Sequence, residues 1–91
     1  MNNINPIIDK IINAPENTYI IFFVYECPYC RSALKILKDK NLAYKGYLIS
    51  NVDGGLPYLL KIFNENAEFI GFNKKHKTKP IIFYNGKFLG G

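Results

Sequence analysis

The chain carries two cysteines, three positions apart in Cys27-Pro28-Tyr29-Cys30. Two thiols at this spacing support two chemistries: reversible disulfide exchange, or half of a tetrahedral zinc site. The zinc alternative needs two further ligands. No second C-x-x-C pair exists, and His76 is the single histidine. A dimer pooling four thiolates would supply the missing ligands, but Pro28 stiffens the loop against it. A purely structural pair leaves the spacing unexplained. The residues favour redox chemistry, and no metal is expected.

That chemistry requires a particular setting. Thr18 to Tyr25 reads TYIIFFVY, a short continuous run of β-branched and aromatic residues. It suits a central strand covered on both faces. A helix is expected from Pro28 to Lys40, with Ala33, Leu34 and Leu37 on its buried face and Ile36 at the edge. The cysteines then lie between strand and helix, where the first helical turn has unpaired N–H groups and a partial positive charge. A sulfur there is stabilised as thiolate. A free cysteine titrates near ~8.5, and such a setting lowers it to about 3.5–7.5. Cys27, at the helix mouth, is the expected nucleophile. Cys30, one turn further in, is the expected resolving thiol. Pro28 pre-sets φ for the first turn, and Tyr29 projects over the entrance. Arg31 is read equally as a source of positive field near the sulfur and as a plain surface residue, and Glu26 works against the thiolate if its side chain stays close.

The remaining elements follow from periodicity. Ile4, Ile7, Ile8, Ile11 and Ile12 form one apolar stripe on a helix over 4–13, with Pro6 in its first turn. Ala43 to Ile49 is a second strand, followed by a loop over 50–55. A helix is expected over 56–64, with Pro57 in its first turn. Residues 65–77 are expected to form a loop with a short ordered piece around Phe69–Phe72. Pro80 to Tyr84 is a strand, Asn85-Gly86 a two-residue turn needing positive φ, and Lys87–Leu89 a returning strand. The order α-β-α-β-α-β-β is that of an α/β protein. It implies parallel pairing by right-handed crossovers, closed by an antiparallel hairpin.

Composition narrows the function further. Ninety-one residues allow one domain, and 48% hydrophobic residues exclude disorder. Two cysteines are too few for a disulfide-stapled scaffold. The net charge of +5 is concentrated: Lys74, Lys75, Lys77 and Lys79 supply four cations within six residues, and the rest is nearly neutral. A basic module binding nucleic acid or an acidic partner is one reading of that segment, but no nucleic-acid partner is expected. No basic-then-apolar leader and no run of ~20 apolar residues appears. The expectation is a soluble, cytoplasmic protein with no membrane partner, monomeric.

Several of these features together resemble the dithiol glutaredoxins. Cys27-Pro28-Tyr29-Cys30 is that family's active-site tetrapeptide, in the same strand-before, helix-after context. Thr78-Lys79-Pro80 is similar to its Thr-Val-Pro motif, whose proline is cis and faces the cysteines. The closing strand, turn, strand and Gly90-Gly91 pair follow in family order. The likeness covers residues 18–91, with 1–17 as an N-terminal helical extension. It implies a thioredoxin-like four-stranded mixed sheet flanked by helices. It also implies a glutathione-dependent thiol–disulfide oxidoreductase acting on disulfide-containing or glutathionylated proteins. Glutathione would lie along Tyr29, Thr78, Lys79, Pro80, Gly90 and Gly91, pairing with the Lys79 backbone as a short added strand. The lysines of 74–79 would attract its carboxylates.

The sequence departs from the family at two places. Val24 stands where the family commonly has a lysine, three residues before the first cysteine. The chain also stops at the glycine pair, where the family continues into a final helix. Either the natural chain is longer, or the Ile-striped N-terminal helix covers the surface that the last helix covers elsewhere. Val24 and this ending keep a second redox reading open, a thioredoxin-like electron donor reduced by a flavoprotein reductase, for example for ribonucleotide reductase. A cluster-bridged dimer using Cys27 and glutathione is a further alternative.

Overall fold

The alternation of strand and helix patterns produces a four-stranded sheet, seen in a computed structural model that describes residues 4–91. The first three residues of the expected N-terminal extension lie outside the described residues. The elements run α1 (Pro6–Ile12), β1 (Tyr19–Phe23), α2 (Pro28–Asp39), β2 (Tyr44–Leu48), a single 3-10 turn (Ile49–Asn51), α3 (Gly55–Glu65), α4 (Ala67–Ile70), β3 (Ile81–Tyr84) and β4 (Lys87–Gly90). The strand order is β2-β1-β3-β4. β1 pairs parallel with β2, as a helical crossover demands, and antiparallel with β3. β3 and β4 form the hairpin, with positive φ at both Asn85 and Gly86. The four-stranded mixed sheet is the one the resemblance implies, but the parallel pairing expected from the element order holds only for β1 and β2: β3 runs antiparallel to β1.

β1 is covered on both faces, which explains its continuous apolar run. Ile20 and Phe22 point to one side, where Ile81 and Phe83 of β3 join Leu59, Ile62 and Phe63 of α3. Ile21 and Phe23 point to the other, against Cys30, Leu34 and Leu37 of α2. The period of two along the strand thus splits the interior into two half-cores. Cys30 is part of the second, so the redox pair is anchored by the same packing that holds α2 to the sheet.

The structure bears out some of the helix expectations and corrects others. Asn5 caps α1 by accepting a hydrogen bond from the Ile7 N–H at 2.8 Å, with Pro6 at the first helical position. Ile8 and Ile11 are buried against the α3 half-core. The N-terminal helix therefore lies on the sheet face opposite α2. Ile36 is 53% exposed and does not join the buried face of α2. α3 starts at Gly55, one residue earlier than its periodicity suggests, and runs to Glu65. Within 65–77 the ordered piece is the short helix α4, and Phe72 after it is buried among Phe63 and Phe88.

Candidate active site

Cys27 is the N-cap residue of α2, with extended backbone dihedrals, and Pro28 follows at the first helical position. The cap position puts the sulfur over the first helical turn. Both thiols are reduced. Cys27 is half-buried, and Cys30 is fully buried. Cys27 Sγ makes no capping hydrogen bond in this thiol form. Its environment nonetheless favours the charged sulfur. The Cys30 backbone N–H has the largest effect and lowers the Cys27 thiol below its ordinary value, with the Cys30 side chain, the Tyr29 N–H and the Lys79 ammonium adding to it against partial burial. Cys30 moves the opposite way. Desolvation in the α2 half-core raises it, and the neighbouring Cys27 sulfur raises it further.

Two thiols of similar intrinsic acidity are therefore driven apart by position alone. One is accessible and disposed to ionise; the other is enclosed and disposed to stay protonated. Alkylation by a small haloacetamide checks this. The Cys27 rate is expected to rise with pH through a midpoint below that of an ordinary thiol, and to level off there. Cys30 is expected to stay unmodified at pH values where Cys27 is already consumed. Equal labelling of both sulfurs throughout would contradict it.

The opposite wall comes from the segment before β3. The Lys79–Pro80 peptide bond is cis. The Cys27 thiol donates to the Lys79 carbonyl at 3.7 Å. Thus Cys27, Lys79 and Pro80, distant in sequence, meet at one end of the sheet. Thr78 is exposed beside them, and Tyr29 is 77% exposed over the entrance. The glycine pair reaches the same place. Gly90 has φ +144°, a conformation that side chains disfavour. A Cβ at Gly91 would lie 2.5 Å from the Pro80 carbonyl oxygen and 2.8 Å from His76 Cε1. Backbone packing against the proline segment is thus the physical reason for glycine there.

Other expected contributors act differently. Arg31 does not bear on the sulfur. Its Nη1 donates to the Tyr25 carbonyl at 2.6 Å and ties the loop before the cysteines to α2. Glu26 is exposed and is not among the groups that shift Cys27. Lys74, Lys75 and Lys77 are exposed, and only Lys79 of the four acts on the two sulfurs. Val24 is half-buried between the two half-cores.

His76 is the residue that sequence reasoning undervalued. A lone histidine in a lysine run reads as a solvated side chain, yet it is half-buried. Its ring lies 5.1 Å from Phe88 and 6.3 Å from Phe72, and Nε2 is 3.3 Å from the Pro80 carbonyl. It braces the proline segment against the hairpin. The available signal was its place four residues before Pro80, between two aromatic positions. Among the described residues, no three His, Cys, Asp or Glu side chains gather as a metal site. No helix among them is long and apolar enough to cross a membrane.

Comparison with known proteins decides the family. A glutaredoxin family profile matches residues 20–89, and a probable glutaredoxin of Acanthamoeba polyphaga mimivirus is 49% identical over 87 residues, 96% of this chain and 82% of that one. The chain belongs to the glutaredoxin family. Mitochondrial glutaredoxin-2 of Rattus norvegicus is 33% identical over 97% of this chain, which spans only 49% of that relative's length. The solution structure of a dithiolic glutaredoxin from Trypanosoma brucei brucei superposes with a TM-score of 0.67 at 27% identity, covering 99% of this chain and 81% of that one. The chain is thus a thiol–disulfide oxidoreductase of thioredoxin-like fold, from a family that uses glutathione as reductant.

Proposed function

We propose that this glutaredoxin reduces protein disulfides and glutathione mixed disulfides through Cys27 and Cys30, with glutathione as its reductant. The observation that carries this is the Cys27 thiol at the mouth of α2, facing the Lys79 carbonyl before Pro80, with Cys30 buried one turn behind it. The Cys27 thiolate attacks one sulfur of the substrate disulfide. That S–S bond breaks, and the leaving sulfur takes up a proton. The Cys30 thiol then loses its proton and attacks Cys27 Sγ in the mixed disulfide, releasing the second substrate thiol. Two electrons have passed to the substrate, and a Cys27–Cys30 disulfide has formed. Two glutathione molecules return the dithiol and leave as glutathione disulfide. An accessible attacking thiol with a depressed pKa suits the first step.

Glutathione would lie between Tyr29 and the Thr78-Lys79-Pro80 segment, with Gly90 and Gly91 closing the groove. The cations of 74–79 would attract its carboxylates. This fits Val24, since the charge missing before the cysteines is available from the facing loop. The test is turnover of a small mixed disulfide with varied glutathione. Replacing Lys74, Lys75 and Lys77 by glutamine should raise KM for glutathione several-fold and leave kcat nearly unchanged. Absence of turnover with glutathione, together with rapid reduction by a flavoprotein reductase and nicotinamide, would overturn the proposal. That result would favour the thioredoxin-like donor role, for which Val24 is the supporting feature.

A further inference from the structure

Two successive carbonyls before β3 have different partners. That of Lys79 accepts from the Cys27 thiol at 3.7 Å. That of Pro80 lies 3.3 Å from Nε2 of His76. The same short stretch of backbone therefore touches both the nucleophile and a histidine ring.

The chain delivers that ring through a turn built on Asn73. The Asn73 side-chain oxygen accepts from the Lys75 N–H at 2.9 Å, and its carbonyl accepts from the His76 N–H at 2.9 Å. Such an Asx turn is fixed by its own groups. The ring then enters an aromatic slot, 5.1 Å from Phe88 and 6.3 Å from Phe72. Phe72 is buried, and Phe88 packs on the α3 half-core. Gly91 bounds a further side, since a Cβ there would lie 2.8 Å from the ring. His76 is thus held in place, whereas Lys74, Lys75 and Lys77 around it are exposed.

A carbonyl oxygen only accepts, so the contact requires the ring proton on Nε2. Pro80 is buried, and a buried carbonyl deprived of its donor is costly. The Lys79 carbonyl is joined directly to Pro80, so displacement of one displaces the other. Once Cys27 ionises it has no proton to donate, and the Lys79 carbonyl is released for an incoming chain. A misplacement of about 1 Å in a positioning group is enough to slow a reaction.

We propose that His76 is a positioning residue for substrate binding. By donating to the Pro80 carbonyl, it holds the Lys79 backbone where an extended peptide carrying the target disulfide pairs with it beside Cys27. Its effect falls on disulfides that carry peptide groups and not on those that lack them. This rests on the proposed pairing of glutathione with Lys79, but not on which reductant restores the dithiol.

Single-turnover oxidation separates the two kinds of disulfide. The reduced protein is mixed with excess oxidised glutathione, which has peptide groups, or with hydroxyethyl disulfide, which has none. In both reactions Cys27 and Cys30 lose two electrons and two protons to form their disulfide, and the added disulfide leaves as two thiols. His76→Phe keeps an aromatic ring in the slot and removes the donor. It should slow oxidation by glutathione disulfide about fivefold, the scale of one hydrogen bond, and leave the rate with hydroxyethyl disulfide within about twofold. His76→Gln, whose side-chain amide again offers an N–H, should return the glutathione disulfide rate to within about twofold of the unmodified protein. A long-range nitrogen–proton spectrum of the unmodified protein at about pH 8.5 should show the ring proton on Nε2. The proposal falls if His76→Phe slows both disulfides equally or neither, if His76→Gln is as slow as His76→Phe, or if the proton lies on Nδ1. An unmodified protein that reacts no faster with oxidised glutathione than with hydroxyethyl disulfide would instead sink the glutathione reading, with the nitrogen spectrum still reporting on the His76 contact.

Discussion

Replacing Cys27 with serine should lower thiol–disulfide exchange by more than about a thousandfold, to the rate of the uncatalysed reaction. Replacing Cys30 with serine should divide the activity instead. The reason is geometric. Cys30 is 0% exposed, packed with Leu34, Leu37, Ile21 and Phe23, so it cannot meet an external disulfide. Burial also raises its pKa, which keeps it protonated until a mixed disulfide forms beside it. Cys27 faces the opening, and the first turn of α2 favours its thiolate. A Cys30→Ser protein should still remove glutathione from a mixed disulfide, because glutathione itself completes that cycle. It should fail to release a protein substrate efficiently, and a stable protein–Cys27 adduct should appear in the mass spectrum. If Cys27→Ser retained activity and Cys30→Ser lost all of it, the assignment of roles would be reversed.

The amino-acid pattern made the placement of the two thiols readable because the relevant signals are local. A strand-like run, two cysteines and Pro28 lie within a dozen residues, and helix-terminus electrostatics depend only on that arrangement. Pro80 was harder. Its meeting with Cys27 depends on β3 lying antiparallel to β1, with Ile81 opposite Phe22. The element order pointed to parallel pairing ahead of the hairpin, so this antiparallel pairing was not readable from it, and the meeting of Pro80 with the cysteines was reached only through the likeness of the motif order to a known family. The roles of His76 and Arg31 were not legible, for a shared reason. Each is a polar residue whose partner is a backbone carbonyl, of Pro80 and Tyr25 respectively. Side-chain type says little about such partners. The face occupied by α1 was also hidden. An apolar stripe shows that a helix is amphipathic, but either sheet face would have accepted it. The choice was made by Ile8 and Ile11 meeting α3 rather than α2.

The largest stability effect is expected from Phe83→Ala. Phe83 is 0% exposed, and its ring lies 6.2 Å from Phe22, 5.1 Å from Phe63 and 5.8 Å from Phe88. Those four rings join β1, α3, β3 and β4 through edge-to-face contacts, so one truncation leaves a void bordered by four elements. A buried Phe→Ala change costs about 3–5 kcal/mol, against a total of about 5–15 kcal/mol for a typical native protein. The urea midpoint should therefore fall steeply, with a substantial unfolded fraction at moderate temperature. Ile36→Ala is the control: its side chain is 53% exposed, and its loss should change stability by no more than about 0.5 kcal/mol. Phe83 touches neither cysteine, since it faces the α3 half-core while Cys30 belongs to the other. The Phe83→Ala protein that remains folded at low temperature should thus keep the depressed Cys27 thiol and near-normal exchange per folded molecule. A loss of activity without a fall in the urea midpoint would show that the aromatic cluster shapes the Cys27–Pro80 end of the sheet directly rather than through stability.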